Sequence, residues 1–129
     1  MKTLLWLDDI RDPSGYHTDG NTWASWFSPI REPYNIIWIK NYTEFTDWIT
    51  KNGLPDGICF DHDLDPNKGL PDLEIVNEKT GQDCAKWLID YCLDKSLDLP
   101  RWNCQSANPV GKENINCLLN SFIKHNQND

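Results

Sequence analysis

Nowhere in the 129 residues does an apolar run approach the roughly 20 residues that cross a bilayer. The start, Met1-Lys2-Thr3-Leu4-Leu5-Trp6-Leu7, is basic and then apolar, but it is too short for a secretion signal and runs straight into Asp8-Asp9. The expectation is a soluble, cytoplasmic chain with no membrane contact. Positive charge is scarce as well. Twelve Lys and Arg face twenty Asp and Glu, for a net charge of −8. Such a surface repels nucleic-acid backbones and anionic lipid, which argues against broad binding of duplex nucleic acid. Paired cysteines are missing too: Cys59, Cys84, Cys92, Cys104 and Cys117 are odd in number, and none forms a Cys-x-x-Cys pair. That disfavours a disulfide framework and a zinc site, and fits reduced thiols serving as small hydrophobes. There is no repeat, low-complexity tract or linker.

What is present is a regular alternation of short apolar runs and helical patterns. Thr3 to Leu7, Asn35 to Ile39, Gly57 to Phe60 and Trp102 to Gln105 read as four strands. Between them, Trp23, Trp26, Phe27 and Ile30 repeat at helical spacing before Pro33. Asn41 with Glu44 caps a second helix carrying Phe45, Trp48 and Ile49, and Asn52-Gly53 stops it. Thr80 with Asp83 caps a third, with Cys84, Leu88, Ile89 and Cys92 on its inner face. A last helix carries Ile115, Leu118, Leu119 and Phe122. The order β-α-β-α-β-α-β-α implies parallel pairing with right-handed crossovers, hence a doubly wound α/β sheet. One domain is expected over residues 1–124, with a polar tail at 125–129.

Ligands of such sheets bind beyond the carboxyl ends of the strands. Three ends here carry reactive groups: Asp8-Asp9 after the first, Asp61-His62-Asp63 after the third and Ser106-Ala107-Asn108 after the fourth. With the strands ordered 2-1-3-4, the first and third lie side by side. Two carboxylates about 4 Å apart repel by about 4 kcal/mol at an effective dielectric near 20, so converging acids call for a counter-ion or a shared proton. An oxygen-rich set suits Mg²⁺ or Mn²⁺, and Asp8 or Asp9 together with Asp61 are the expected ligands. Taken singly, Asp8-Asp9 would be a solvated turn and His62 a surface imidazole. It is their convergence that favours a metal. Asp61-x-Asp63-x-Asp65 is no calcium loop, because Pro66 stands where glycine is needed and Asp72 where the closing Glu belongs. Asp61-His62-Asp63 also resembles the Asp-x-Asp of haloacid-dehalogenase-like phosphatases, although there it follows the first strand.

Ser106 or Asn108 could cap the last helix, and Pro109 and Gly111 fit a tight turn into it. The free N–H groups there form an anion site or simply a capped helix end. Lys112 adds a cation in the first turn, and Arg11 could neutralise a carboxylate or grip a phosphate. Thr80-Gly81 reads better as a cap than as a second anion site.

Across nearly its whole length the chain resembles the receiver domains of two-component signalling, with Asp8-Asp9, Asp61 and Ser106 at the matching positions. It is most similar to a receiver-like family predicted to process cyclic phosphates. The residues that carry the likeness are Leu7-Asp8-Asp9-x-Arg11, Phe60-Asp61-His62-Asp63-Leu64, Thr80-Gly81-x-Asp83 and Ser106-Ala107-Asn108-Pro109-x-Gly111-x-x-Asn114. The resemblance implies a flavodoxin- or receiver-like sheet of four strands, here without the fifth strand and helix, since seven residues follow Phe122. It also implies a metal-dependent phosphoesterase-like domain for a nucleotide or RNA-end cyclic phosphate. In that reading Asp8, Asp9 and Asp61 hold Mg²⁺, and His62 moves the proton. Asp63 orients His62 or a water, while Ser106, Asn108, Lys112 and Arg11 take the phosphate oxygens. Gln105 stands where that family tends to have His. The alternatives are a signalling module phosphorylated on Asp61 and a protein that sequesters a nucleotide. No protein partner is indicated.

Overall fold

The computed structural model describes residues 2–8, 12–15, 22–61, 80–105 and 109–127, the last three of these by backbone. The elements are β1 Lys2–Leu7, α1 Trp23–Phe27, β2 Tyr34–Ile39, α2 Tyr42–Asn52, β3 Gly57–Phe60, α3 Gly81–Lys95, β4 Arg101–Cys104 and α4 Pro109–Gln127. Among the described residues the four strands form one all-parallel sheet in the order β2-β1-β3-β4. The parallel pairing is the one expected from the alternation of elements, and the order is the one expected for a receiver-like sheet.

The chain steps from β1 outward to β2, then back across β1 to β3 and β4. With right-handed crossovers, that reversal sends α1 to one face and the later helices to the other. The core divides accordingly. On one face Leu5, Leu7, Ile58 and Phe60 pack with Phe45 and Ile49 of α2, Leu88 of α3 and Ile115 and Leu119 of α4. On the other, Leu4, Trp6 and Cys59 pack with Ala24 of α1 and with Ile30. Burial on both faces explains why β1 and β3 read as unbroken apolar runs.

The caps form as their sequences suggest. The Asn41 side chain accepts the Glu44 N–H at 2.8 Å. Thr80 and Asp83 form a reciprocal capping box, with Asp83 accepting the Thr80 N–H at 2.8 Å. Gly53 ends α2 with φ of 85°, a backbone angle that residues with a Cβ rarely adopt.

One expectation fails. The first helix stops at Phe27 rather than running through Ile30. Ser28 precedes Pro29, whose ring disfavours helical geometry at the residue before it, and Ser28 is extended at φ −58°, ψ 130°. Ile30 still reaches the core, at 4% exposure, from this extended segment. It lies flat on Gly57, where an added Cβ would sit 2.7 Å from Ile30 Cγ1. The helical spacing of Ile30 was therefore coincidental. The fourth strand is also shifted by one residue, Arg101–Cys104 instead of 102–105.

Candidate functional site at the carboxyl ends of the strands

The reversal of strand order lies between β1 and β3, and it is beyond the carboxyl ends of the strands at such a reversal that open α/β sheets bind ligands. The parallel ladder continues one residue beyond the strands. The Asp8 N–H donates to the Ile39 carbonyl, that of Asp61 to the Leu7 carbonyl and that of Gln105 to the Phe60 carbonyl, each at 3.0 Å. Trp6 pairs with Cys59, and Phe60 with Cys104. Two residues on from Trp6 and Cys59, and one on from Phe60 and Cys104, the register aligns Asp8, Asp61 and Gln105 as a row across three neighbouring strands. Adjacent strands lie about 4.8 Å apart. The two-residue period also assigns Asp8 and Asp61 to one face, the α1 side, where Trp6 and Cys59 lie. Asp8 is 3% exposed and Asp61 half-buried.

The backbone around Asp8 is held from both sides. From β2, the Trp38 indole N–H donates to the Asp8 carbonyl at 2.7 Å. From the end of β4, the buried Gln105 amide reaches across β3 and donates to the Leu7 carbonyl at 2.9 Å. That carbonyl also accepts the Asp61 N–H.

Charge of the opposite sign flanks the row. Lys112, exposed in the first turn of α4, and Asp61 both act on the Cys104 thiol. Burial pushes that thiol up to about 12, with Lys112 pulling it down and Asp61 raising it. On the other flank, the Lys40 ammonium sits 4.4 Å from the centre of the Trp38 ring. It also helps hold the exposed Asp12 carboxyl below its ordinary range, after the larger effect of hydrogen bonds from Ser14.

The sequence reading brought Asp8, Asp61 and Lys112 to this end of the sheet, and the fold places all three there. Asp9, Arg11, His62, Asp63, Ser106 and Asn108 lie outside the described residues. Thr80 is engaged as a helix cap. Trp38 and Lys40 were missed. The signal available was the pairing of Ile39 with Leu7, which sets the next residue, Lys40, beside Asp8, but it needs the register to be known.

The cysteines belong to the packing. All five are free, and only Cys117 is exposed. Burial raises the thiols of Cys59 and Cys84 and pushes that of Cys92 up to about 11, so none of these three is a ready nucleophile or metal ligand. Among the described residues no three His, Cys, Asp or Glu converge as a metal-holding group, and no helix is long and apolar enough to cross a membrane.

A family model described as the cyclic-phosphate processing receiver domain matches residues 3–121. The match spans every element from β1 into α4. No curated protein sequence matches the chain.

Proposed function

Because the chain belongs to the cyclic-phosphate processing receiver domains, we propose that its acidic strand ends bind and hydrolyse a small cyclic-phosphate ligand, a nucleotide or an RNA end, with the help of Mg²⁺ or Mn²⁺. The observation that carries this reading is the in-register placement of Asp8 and Asp61 at the ends of adjacent strands. Their donor chemistry fits the ion. Magnesium takes one or two carboxylates and fills its remaining positions with water and substrate phosphate. Two acids at one end of the sheet meet that need, and Asp9 is the third candidate. When bound, such an ion supplies charge stabilisation at the phosphoryl group and a more acidic water.

The chain's own residues supply the rest. Asp8 and Asp61 fix the position of the ion through backbone that the sheet holds rigid. Lys112 draws a non-bridging phosphate oxygen, with Ser106, Asn108 and Arg11 as further donors. A water adds to phosphorus and gives up a proton, the bond to one ester oxygen of the ring breaks, and the departing oxygen takes up a proton. His62 is assigned the transfer of that proton from the water to the departing oxygen, and Asp63 its orientation.

The test is incubation with cyclic mononucleotides, cyclic dinucleotides and 2′,3′-cyclic phosphates, with and without Mg²⁺. Opening of one class, dependent on the ion and lost in Asp61→Asn, is the expected result. Recovery of every ligand unchanged but tightly bound would make this a sequestering protein. A large change in Trp fluorescence with acetyl phosphate or beryllium fluoride would instead favour a receiver-like module phosphorylated on Asp61. Trp38 would report it, since its indole N–H bonds the Asp8 backbone.

A further inference from the structure

The two hydrogen bonds around Asp8 have a shared consequence. They fall on consecutive carbonyls, those of Leu7 and Asp8, and so bracket the Cα from which the Asp8 carboxylate springs. They come from opposite flanks of β1: Trp38 from β2, the immediate neighbour, and Gln105 from beyond β4, with β3 between. Gln105 is 3% exposed, and its donated bond spans 98 positions of sequence. The Leu7 carbonyl already accepts the Asp61 N–H through the ladder, so the Gln105 bond is a second one on that oxygen, and the Asp8 carbonyl takes the indole bond one residue past the end of β1. Strand ends fray where the ladder stops, and two like charges at neighbouring ends push them apart.

We infer that Gln105 and Trp38 are positioning residues that clamp the end of β1 and so set the separation of the Asp8 and Asp61 carboxylates. The Leu7 carbonyl is the pivot. It accepts from Asp61 on β3 and from Gln105 on β4, so displacement of either strand end is felt at Asp8. Neither side chain carries a titrating proton, and neither is assigned contact with the reacting atoms. Their contribution is preorganisation: a divalent ion finds the two acids already at its bonding distance. Groups that orient metal ligands in this way change metal affinity by about 10- to 100-fold.

This inference rests on the metal-binding reading given above, and titration of the intact chain with Mn²⁺ alone, followed by electron paramagnetic resonance, separates the two. Gln105→Leu removes the donor at nearly constant volume. Trp38→Phe removes the indole N–H together with part of the ring's bulk but keeps an aromatic ring beneath Lys40, so it tests the clamp even if the first variant folds poorly. Ile49→Val, on α2 and buried against the opposite face of the sheet, serves as a control for general destabilisation. Each clamp variant should weaken Mn²⁺ binding by about ten-fold, while Ile49→Val at a comparable loss in Tm leaves it unchanged. Wild-type affinity in both clamp variants, whatever their Tm, would overturn the inference and leave the metal site standing. A wild-type chain that takes up no Mn²⁺ would overturn both.

Discussion

The two ends of the sheet treat charge in opposite ways. At the amino end of the strands, Lys2 lies 3.9 Å from Asp56, and Arg101 donates to Glu32 at 3.1 Å. Both pairs are about half exposed, and Asp56 also accepts the Thr3 N–H at 2.8 Å. Acid meets base there, in water, where such pairs contribute little to stability. At the carboxyl end, acid meets acid. Asp8, 3% exposed, stands in register with Asp61, and the lysines on either flank are themselves exposed. Bringing two carboxylates together in a partly dry place costs stability, and a fold retains such an arrangement where a ligand can offset the cost. At the amino end each acid has a base beside it. The carboxyl end holds the acids that the proposed function uses.

The largest test of that contrast is Asp61→Asn, which should abolish divalent-metal binding measured by calorimetry. The same change at the amino end, Asp56→Asn, should leave binding as in the wild type. Equal losses in both variants would erase the distinction. Next in size is Gly57→Ala. Its Cβ must displace Ile30 from 2.7 Å, which should cost about 1–3 kcal/mol in urea unfolding. Metal affinity should survive, because the strain falls at the amino end of β3.

In metal-free buffer, Asp61→Asn should unfold at higher urea than the wild type, by about 1 kcal/mol, through relief of the repulsion with Asp8. Saturating Mg²⁺ should reverse the order of the two proteins. Smallest of all is Glu32→Gln. Glu32 is held below its ordinary range, first by its own backbone N–H and then by Arg101. An acid with a depressed pKa adds stability above its unfolded value and loses it as the pH falls through the folded one. Any difference between Glu32→Gln and the wild type should therefore be present at neutral pH and be lost as the pH falls below the ordinary carboxylate range. A difference that grows on acidification would mean the pairing is wrong.

Much of the fold could be read from local chemistry. The caps at Asn41 and Thr80 are made by side chains within three residues of the N–H they accept, so the sequence contains both partners. Parallel pairing followed from alternation and the handedness of crossovers, whereas the strand order 2-1-3-4 came with the resemblance to receiver-like sheets. Ile30 misled because periodicity cannot tell a fourth helical contact from an apolar residue on an extended segment. Pro29 was the overriding signal, acting through the geometry it imposes on Ser28.

In the site, Asp8, Asp61 and Lys112 stood out as charged residues directly after apolar strands or in a first helical turn. Trp38 did not, and Gln105 did only as a departure from the His that the family tends to have. A Trp inside a strand looks like core, and Gln105 read as the last residue of the fourth strand. Lys40 was equally silent, because its place beside Asp8 depends on how β2 registers against β1.

The amino-acid sequence alone determined the elements, their parallel arrangement and the gathering of acids at one end, because propensity, capping and apolar alternation act over a few residues. Tertiary structure decided which backbone carbonyls Trp38 and Gln105 would bond. Those bonds join residues 30 and 98 positions apart, and only the register of β2, β1, β3 and β4 brings such distant groups within reach.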